Sequence, residues 1–316
     1  MKLVLITIIF LFCFASILFA EIKFVPSLEI GLGNDNNLNY TPAKVSLPGM
    51  EKVNDSFYMI IPQLKIEMPI ENKEKGIIGF NYQYKYNKYI KKDNGNFNDQ
   101  YSALSYQKKI NENLDFNFQI NFSNFSDSIS KEDKYKSIGF IPGLKFSMAN
   151  NQFIDITYLN TIINYSERNA EYDANLVPLS DLKQKDTKQG ISILWLGKFS
   201  EITTKIGYNN NSNNSNNNNF DYKENNIYLN LWYELAASQR ISFKHKYITR
   251  QYSNTQIVSG IDKRKDYINT TLVGYEYSIT KNFLSLTNWS YSNSQSNDPM
   301  EGYYKSYLYT GVKMNW

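Results

Sequence analysis

Enzymatic chemistry needs a base, a nucleophile or a set of metal ligands, and this sequence offers few of them. His245 is its one histidine and Cys13 its one cysteine. A general base that works near neutral pH is most often an imidazole, so a catalytic reading has to be tested on ISFKHKYITR, residues 241–250. Along this segment Ile241, Phe243, His245 and Tyr247 share one parity, and Ser242, Lys244 and Lys246 share the other. In a strand, successive side chains point to opposite faces. The histidine therefore lies with the apolar residues, away from the hydroxyl and ammonium groups. The expectation is a chain that is not an enzyme, with no catalytic residue, no metal site and no cofactor.

The sequence is much richer in charges at alternate positions. Lys65, Lys85, Lys109, Lys145, Lys205, Lys244 and Lys246 fall on the polar parity of their segments, as do Glu29, Glu67, Asp115, Glu234 and Glu276. Lys198, Lys313 and Asp155 follow the same rule. If that face borders a water channel, these groups are candidates to line it and to bias which ions pass. The excess of lysine would then favour anions. If they pair across strands instead, they only keep an interior wet.

The elements that must hold these groups are strands. FNYQYKYNKYI, residues 80–90, places Phe80, Tyr82, Tyr84 and Tyr86 on one side and Asn81, Gln83, Lys85 and Asn87 on the other. A helix would scatter residues two apart around its axis, whereas a strand gathers them on one face. LDFNFQINF (114–122), SIGFIPGLKFSM (137–148), NIYLNLWYEL (226–235) and VPSLEIGLG (25–33) repeat the pattern. Aromatics make up 16 % of the chain, with 26 Tyr and 19 Phe, yet mean hydropathy is −0.49. A soluble core mixes side-chain sizes so that they interdigitate; here the apolar faces are uniformly large. Half-apolar strands rich in rings fit a transmembrane barrel, where one face meets lipid and aromatic girdles mark both interfaces. Tyr84, Tyr86 and Tyr208 are expected at the outer girdle, and Trp195, Tyr233, Tyr275, Tyr277 and Trp316 at the periplasmic one.

The connectors alternate between short and long. ENKEKG (71–76), NEN (111–113), NN (150–151), SE (200–201), ASQ (237–239) and TK (280–281) are short. Between them lie long polar stretches such as 34–55, 167–186 and the asparagine tract NNNSNNSNNNN (209–219). Tight turns at one end and long loops at the other are the layout of an outer-membrane barrel. The predicted fold is all-β: a transmembrane antiparallel up-and-down barrel of about fourteen strands, with twelve to sixteen compatible with ambiguous facing near 100–109 and 282–292. At a strand spacing of ~4.8 Å and a tilt of ~40°, fourteen strands give a backbone diameter of about 28 Å.

The start of the chain, MKLVLITIIFLFCFASILFA, has a basic residue, a long apolar run and Ala20 ahead of Glu21. It reads as a secretory signal peptide over 1–20, with the barrel over 21–316. Removing it removes Cys13, which leaves no disulfide framework and no thiol metal site. The net charge of +4 is too slight for a nucleic-acid binder.

The tail, YTGVKMNW, resembles the C-terminal recognition signal of bacterial outer-membrane proteins, with Trp316 last, Met314 two before it and Gly311 five before it. The resemblance implies insertion into outer-membrane lipid by the barrel-assembly machinery. A second likeness lies in GLGNDNNLN, residues 31–39. It is similar to the G-x-G-Y-D-x-N opening shared by porin-2-like proteins, exopolysaccharide-export barrels and surface-lipoprotein-assembly-modifier barrels. Gly31, Gly33, Asp35 and Asn37 match, and Asn34 stands where tyrosine is usual. The expected function is a porin-like channel for passive diffusion of small hydrophilic solutes in the outer membrane. The alternative is the barrel component of a polysaccharide-export or lipoprotein-assembly system; for a sugar path, inward Tyr89, Tyr228, Trp232 and Tyr309 would be the stacking candidates.

Overall fold

In the computed structural model the strands form a closed barrel. The structure describes residues 22–37, 53–70, 76–91, 96–128, 131–148, 151–170, 180–256 and 262–316; the segment 1–20, expected to be a signal peptide, lies outside them. The strands are β1 (Lys23–Asp35), β2 (Asp55–Pro69), β3 (Ile77–Tyr89), β4 (Asn96–Asn111), β5 (Leu114–Asp127), β6 (Tyr135–Met148) and β7 (Gln152–Asn169). They continue with β8 (Lys183–Phe199), β9 (Ile202–Ser215), β10 (Tyr222–Ala236), β11 (Gln239–Gln256), β12 (Lys263–Ser278), β13 (Phe283–Ser296) and β14 (Tyr303–Asn315). Each pairs antiparallel with its sequence neighbours, and β1 pairs with β14 to close the ring. Fourteen is an even number, so the first and last strands start and end at the same rim, the one carrying the short turns. We call it the turn end and the opposite rim the loop end.

Parity sets the two faces. On β1, Phe24, Ile30 and Leu32 are exposed on the outside, while Ser27, Gly31 and Asp35 are buried toward the inside. The exposed large apolar side chains continue around the wall through Leu104, Phe122, Ile156, Ile193, Ile206, Ile227, Val273 and Leu308. This belt is what lipid would cover. Two of the tight turns depend on a left-handed residue: Asn151 has φ 58° and Ser200 has φ 50°, the region that two- and three-residue hairpins of this twist use.

Strand lengths run from 13 to 18 residues. At ~3.3 Å per residue and ~40° tilt, that is about 33 to 45 Å of height, against an apolar band of ~25 Å. The surplus stands at the loop end and corrects the reading of the asparagine tract as a loop. Residues 209–215 belong to β9, and only 216–221 connect it to β10, through a single 3₁₀ turn at Asn218–Phe220. Above the lipid both faces of a strand meet water, so hydropathy no longer alternates and the sequence signal vanishes while the hydrogen-bond ladder continues.

The inside is not uniformly polar. Phe57, Met59 and Ile61 of β2, Tyr89 of β3, Leu286 of β13 and Tyr309 of β14 form a buried apolar cluster against the inner wall. Glycines make room for it. The Phe57 ring lies on Gly33 and the Tyr309 ring across Gly31 and Gly311, so closely that a methyl group at any of the three would overlap a ring. The G-x-G of the opening motif is thus a seat for flat aromatics, the close approach that glycine in a strand permits. The D-x-N half ties down the seam. Asp35 is 1 % exposed, accepts from the Tyr89 hydroxyl at 3.1 Å and pairs with Lys305 of β14 at 2.8 Å. Asn37 donates its backbone N–H to Asp35 at 3.0 Å and its side-chain amide to the Tyr304 carbonyl at 2.8 Å.

Candidate solute pathway

The inner wall carries charge at three levels, and the partners differ from one level to the next. At the turn end most charges are paired. Lys65 lies 2.5 Å from Glu67, which Lys23 approaches at 3.8 Å. Arg240 bridges Glu234 and Glu276, and Asp115 accepts from the Gln107 amide at 3.1 Å. Lys109 is the register partner of Asp115 across β4 and β5. Lys65 is 58 % exposed at this rim, where an ion pair in water contributes little.

At the loop end the charges are buried and interleaved with rings. Glu224 of β10 receives Lys188 at 3.0 Å and Arg250 at 2.7 Å. Arg264 pairs with Asp266 and Glu301, each at 2.8 Å. The guanidinium groups also cover ring faces: Arg250 over Tyr222 at 4.5 Å, Arg264 over Tyr252 at 4.5 Å, and Arg168 between Tyr165 and Phe220 at 4.4 and 4.9 Å. Further round, Phe97, Phe125, Tyr135 and Tyr165 contact in sequence across β4 to β7, and Tyr307, Phe57 and Tyr89 across β14, β2 and β3. Each of the three arginines here has both a carboxylate, Asp133 in the case of Arg168, and an aromatic face, the arrangement that makes burying a charge tolerable. Sequence parity alone did not select Lys188, Glu224, Arg250, Arg264 or Asp266. They sit where the outer face has turned polar, and with nothing apolar to alternate against, nothing marks them as inward.

Between these rims lies the middle of the wall. Lys85 faces its register partner Asp99, with its ammonium 5.3 Å from the Phe97 ring. Lys145, nearer the turn end, lies in register between Asp115 and Asp155 and covers the Phe153 ring at 4.1 Å. Glu29 is on the inward parity of β1, beside Lys313. On β9 to β11 the balance changes. Lys205 and Lys244 flank Asn230 in register, and Lys246 stands beside Tyr228. Among the described residues none of these three lysines has a carboxylate in ion-pair range. Lys244 and Lys246 are exposed although they point inward, so the space in front of them is wide enough for water.

His245 points outward, as its parity predicts, and its Nδ1 lies 3.0 Å from the Thr271 hydroxyl. Among the described residues no cluster of histidine, cysteine and acids could hold a metal ion. At the seam, Gly311 and Met314 pair with Gly31 and Leu28, and the Trp316 N–H reaches the Pro26 carbonyl at 3.2 Å.

No family model and no curated protein matches the sequence. Solved structures do match the fold. The outer membrane channel DcaP of Acinetobacter baumannii superposes with a TM-score of 0.55 at 8 % identity, covering 95 % of this chain and 98 % of that one. The trimer form of OmpT, an outer membrane protein of Vibrio cholerae, gives 0.52 at 9 % identity over 94 % and 99 %. OccAB1 of Acinetobacter baumannii gives 0.52 at 7 % over 94 % and 97 %. The chain has the porin-like barrel fold of bacterial outer-membrane proteins.

Proposed function

We propose that this outer-membrane barrel is a porin-like channel through which small hydrophilic solutes diffuse passively, with a preference for anions. One observation carries the reading: Lys244 and Lys246 point into the barrel, are exposed there and have no carboxylate partner among the described residues. A dry interior would have neutralised or paired them; exposed and unpaired, they argue for a hydrated path whose local potential attracts anions. The pairing at both rims strengthens the argument, because it cancels charge there and leaves the middle of the β9–β11 wall positive.

The test is single-channel recording of the refolded chain in a planar bilayer under a salt gradient. The expected result is stable open-pore steps with a reversal potential on the anion side. Replacing both lysines, Lys244→Glu with Lys246→Glu, is expected to move the reversal potential toward cations. Lys65→Glu should change it far less, because Lys65 sits in bulk-like water beside Glu67. A folded barrel that never conducts would sink the channel reading and favour a role in polysaccharide export or lipoprotein assembly.

A further inference from the structure

Tyr228 offers more than a place on the wall. Its ring reaches across to Gly207 of β9, where an added methyl group would overlap it. Part of the ring is therefore held against the β9 wall, and the rest is exposed to the barrel. The Lys205 ammonium stands over the ring 5.9 Å from its centroid. Lys246 is the register neighbour of Tyr228 on the other side, and Lys244 lies one inward step below it, across Asn230 from Lys205. The nearest carboxylates are already engaged: Glu224 by Lys188 and Arg250, and Asp155 by the Asn117 amide at 3.5 Å while it also faces Lys145 and Lys205. Other rings seated on glycines, those of Phe57 and Tyr309, are 0 % and 2 % exposed; Tyr228 is half-buried. It is the one of these three with ring surface left to offer.

We infer that Tyr228, Lys205, Lys244 and Lys246 form a binding subsite for a small aromatic carboxylate. The flat ring of the solute stacks on the exposed part of Tyr228, beside the Lys205 ammonium, where offset stacking of two rings is favourable. Its carboxylate reaches the ammonium groups of Lys244 and Lys246, with Asn230 as a further donor. An aliphatic acid gains only the second half of this, and a neutral arene only the first. The inference rests on the channel reading for its biological sense and not for its geometry.

The test is equilibrium dialysis of radiolabelled benzoate against the full refolded barrel in detergent, so that conduction is not the readout. The expected result is saturable binding, with cyclohexanecarboxylate competing about tenfold more weakly and acetate more weakly still. Tyr228→Phe should bind within about twofold of the native chain, and Tyr228→Leu should bring benzoate down to the level of cyclohexanecarboxylate. Lys244→Gln, at an exposed position, should weaken both acids together, which tests the charged half whether or not the leucine variant folds. Equal competition by benzoate and cyclohexanecarboxylate, or by galacturonate, would overturn the assignment, as would an absence of saturable binding. Saturable binding to a barrel that does not conduct would retain the subsite and reject the channel; a conducting barrel without such binding would do the reverse.

Discussion

At the scale of single residues, the interior is organised by what sits opposite each glycine. Gly207 has no side chain because Tyr228 occupies that volume. A Gly207→Val exchange would force the ring off the wall or the strands apart, since overpacking a filled site costs about 1–3 kcal/mol. The expected outcome is a lower urea midpoint for the detergent-refolded barrel, partly restored when Tyr228→Ala is added. If the double variant is no more stable than the single, the two residues are not packed as described. The fate of His245 belongs to this scale as well. Its parity was legible in the sequence, but its hydrogen bond to Thr271 was not, because the register of β11 against β12 depends on turn geometry and on the whole ring closing.

At the scale of strands, the seam between β1 and β14 has its own lock. Asp35 is almost fully buried and depends on Lys305 and Tyr89. Removing one partner of a buried pair leaves a charge without compensation, so Lys305→Met is expected to destabilise by about 3–5 kcal/mol, while the double change with Asp35→Asn should recover much of it. Urea titrations of the three variants decide this, and additivity of the two single effects would refute the pairing. The strands themselves were readable wherever one face meets lipid: 80–89, 114–122 and 226–235 all lie in strands with the predicted facing. Two things were not. The polar ends of β9, β10 and β13 carry no alternation, and the run FYMII at 57–61 is apolar on both parities, so the inward cluster it builds was invisible to a rule that expects a wet interior. Of the expected lining, the parity was legible and most partners were not; the sequence itself puts Glu67 two residues from Lys65 on the same face, whereas only the register shows Lys244 beside Asn230.

At the scale of the molecule, one wall differs from the rest. Charge is cancelled at both rims and left uncancelled along β9 to β11, so a solute crossing the barrel would meet its strongest field halfway. Salt should therefore weaken the anion preference only gradually, because lysines flanked by low-dielectric wall are screened less than surface charges; a preference that collapses between 0.1 and 1 M salt, near the full Debye screening of ~3 Å, would place the selectivity at an exposed rim instead. The end of the chain allows a separate expectation. If Trp316 is read by the assembly machinery, Trp316→Ala should slow insertion in cells while leaving spontaneous refolding in detergent nearly unchanged. Equal rates in cells would dismiss that role.

The pairing of Ser27 with Asn315 and of Asp35 with Tyr307 has a temporal meaning. Until β14 has been made, one edge of β1 has no partner, and every intermediate length of chain presents two open edges of the kind that recruit other chains. Contacts so distant in sequence are slow to find. A newborn copy must therefore be kept apart from its siblings for the whole of its synthesis and journey, and the last ladder to form is the one that ends the danger.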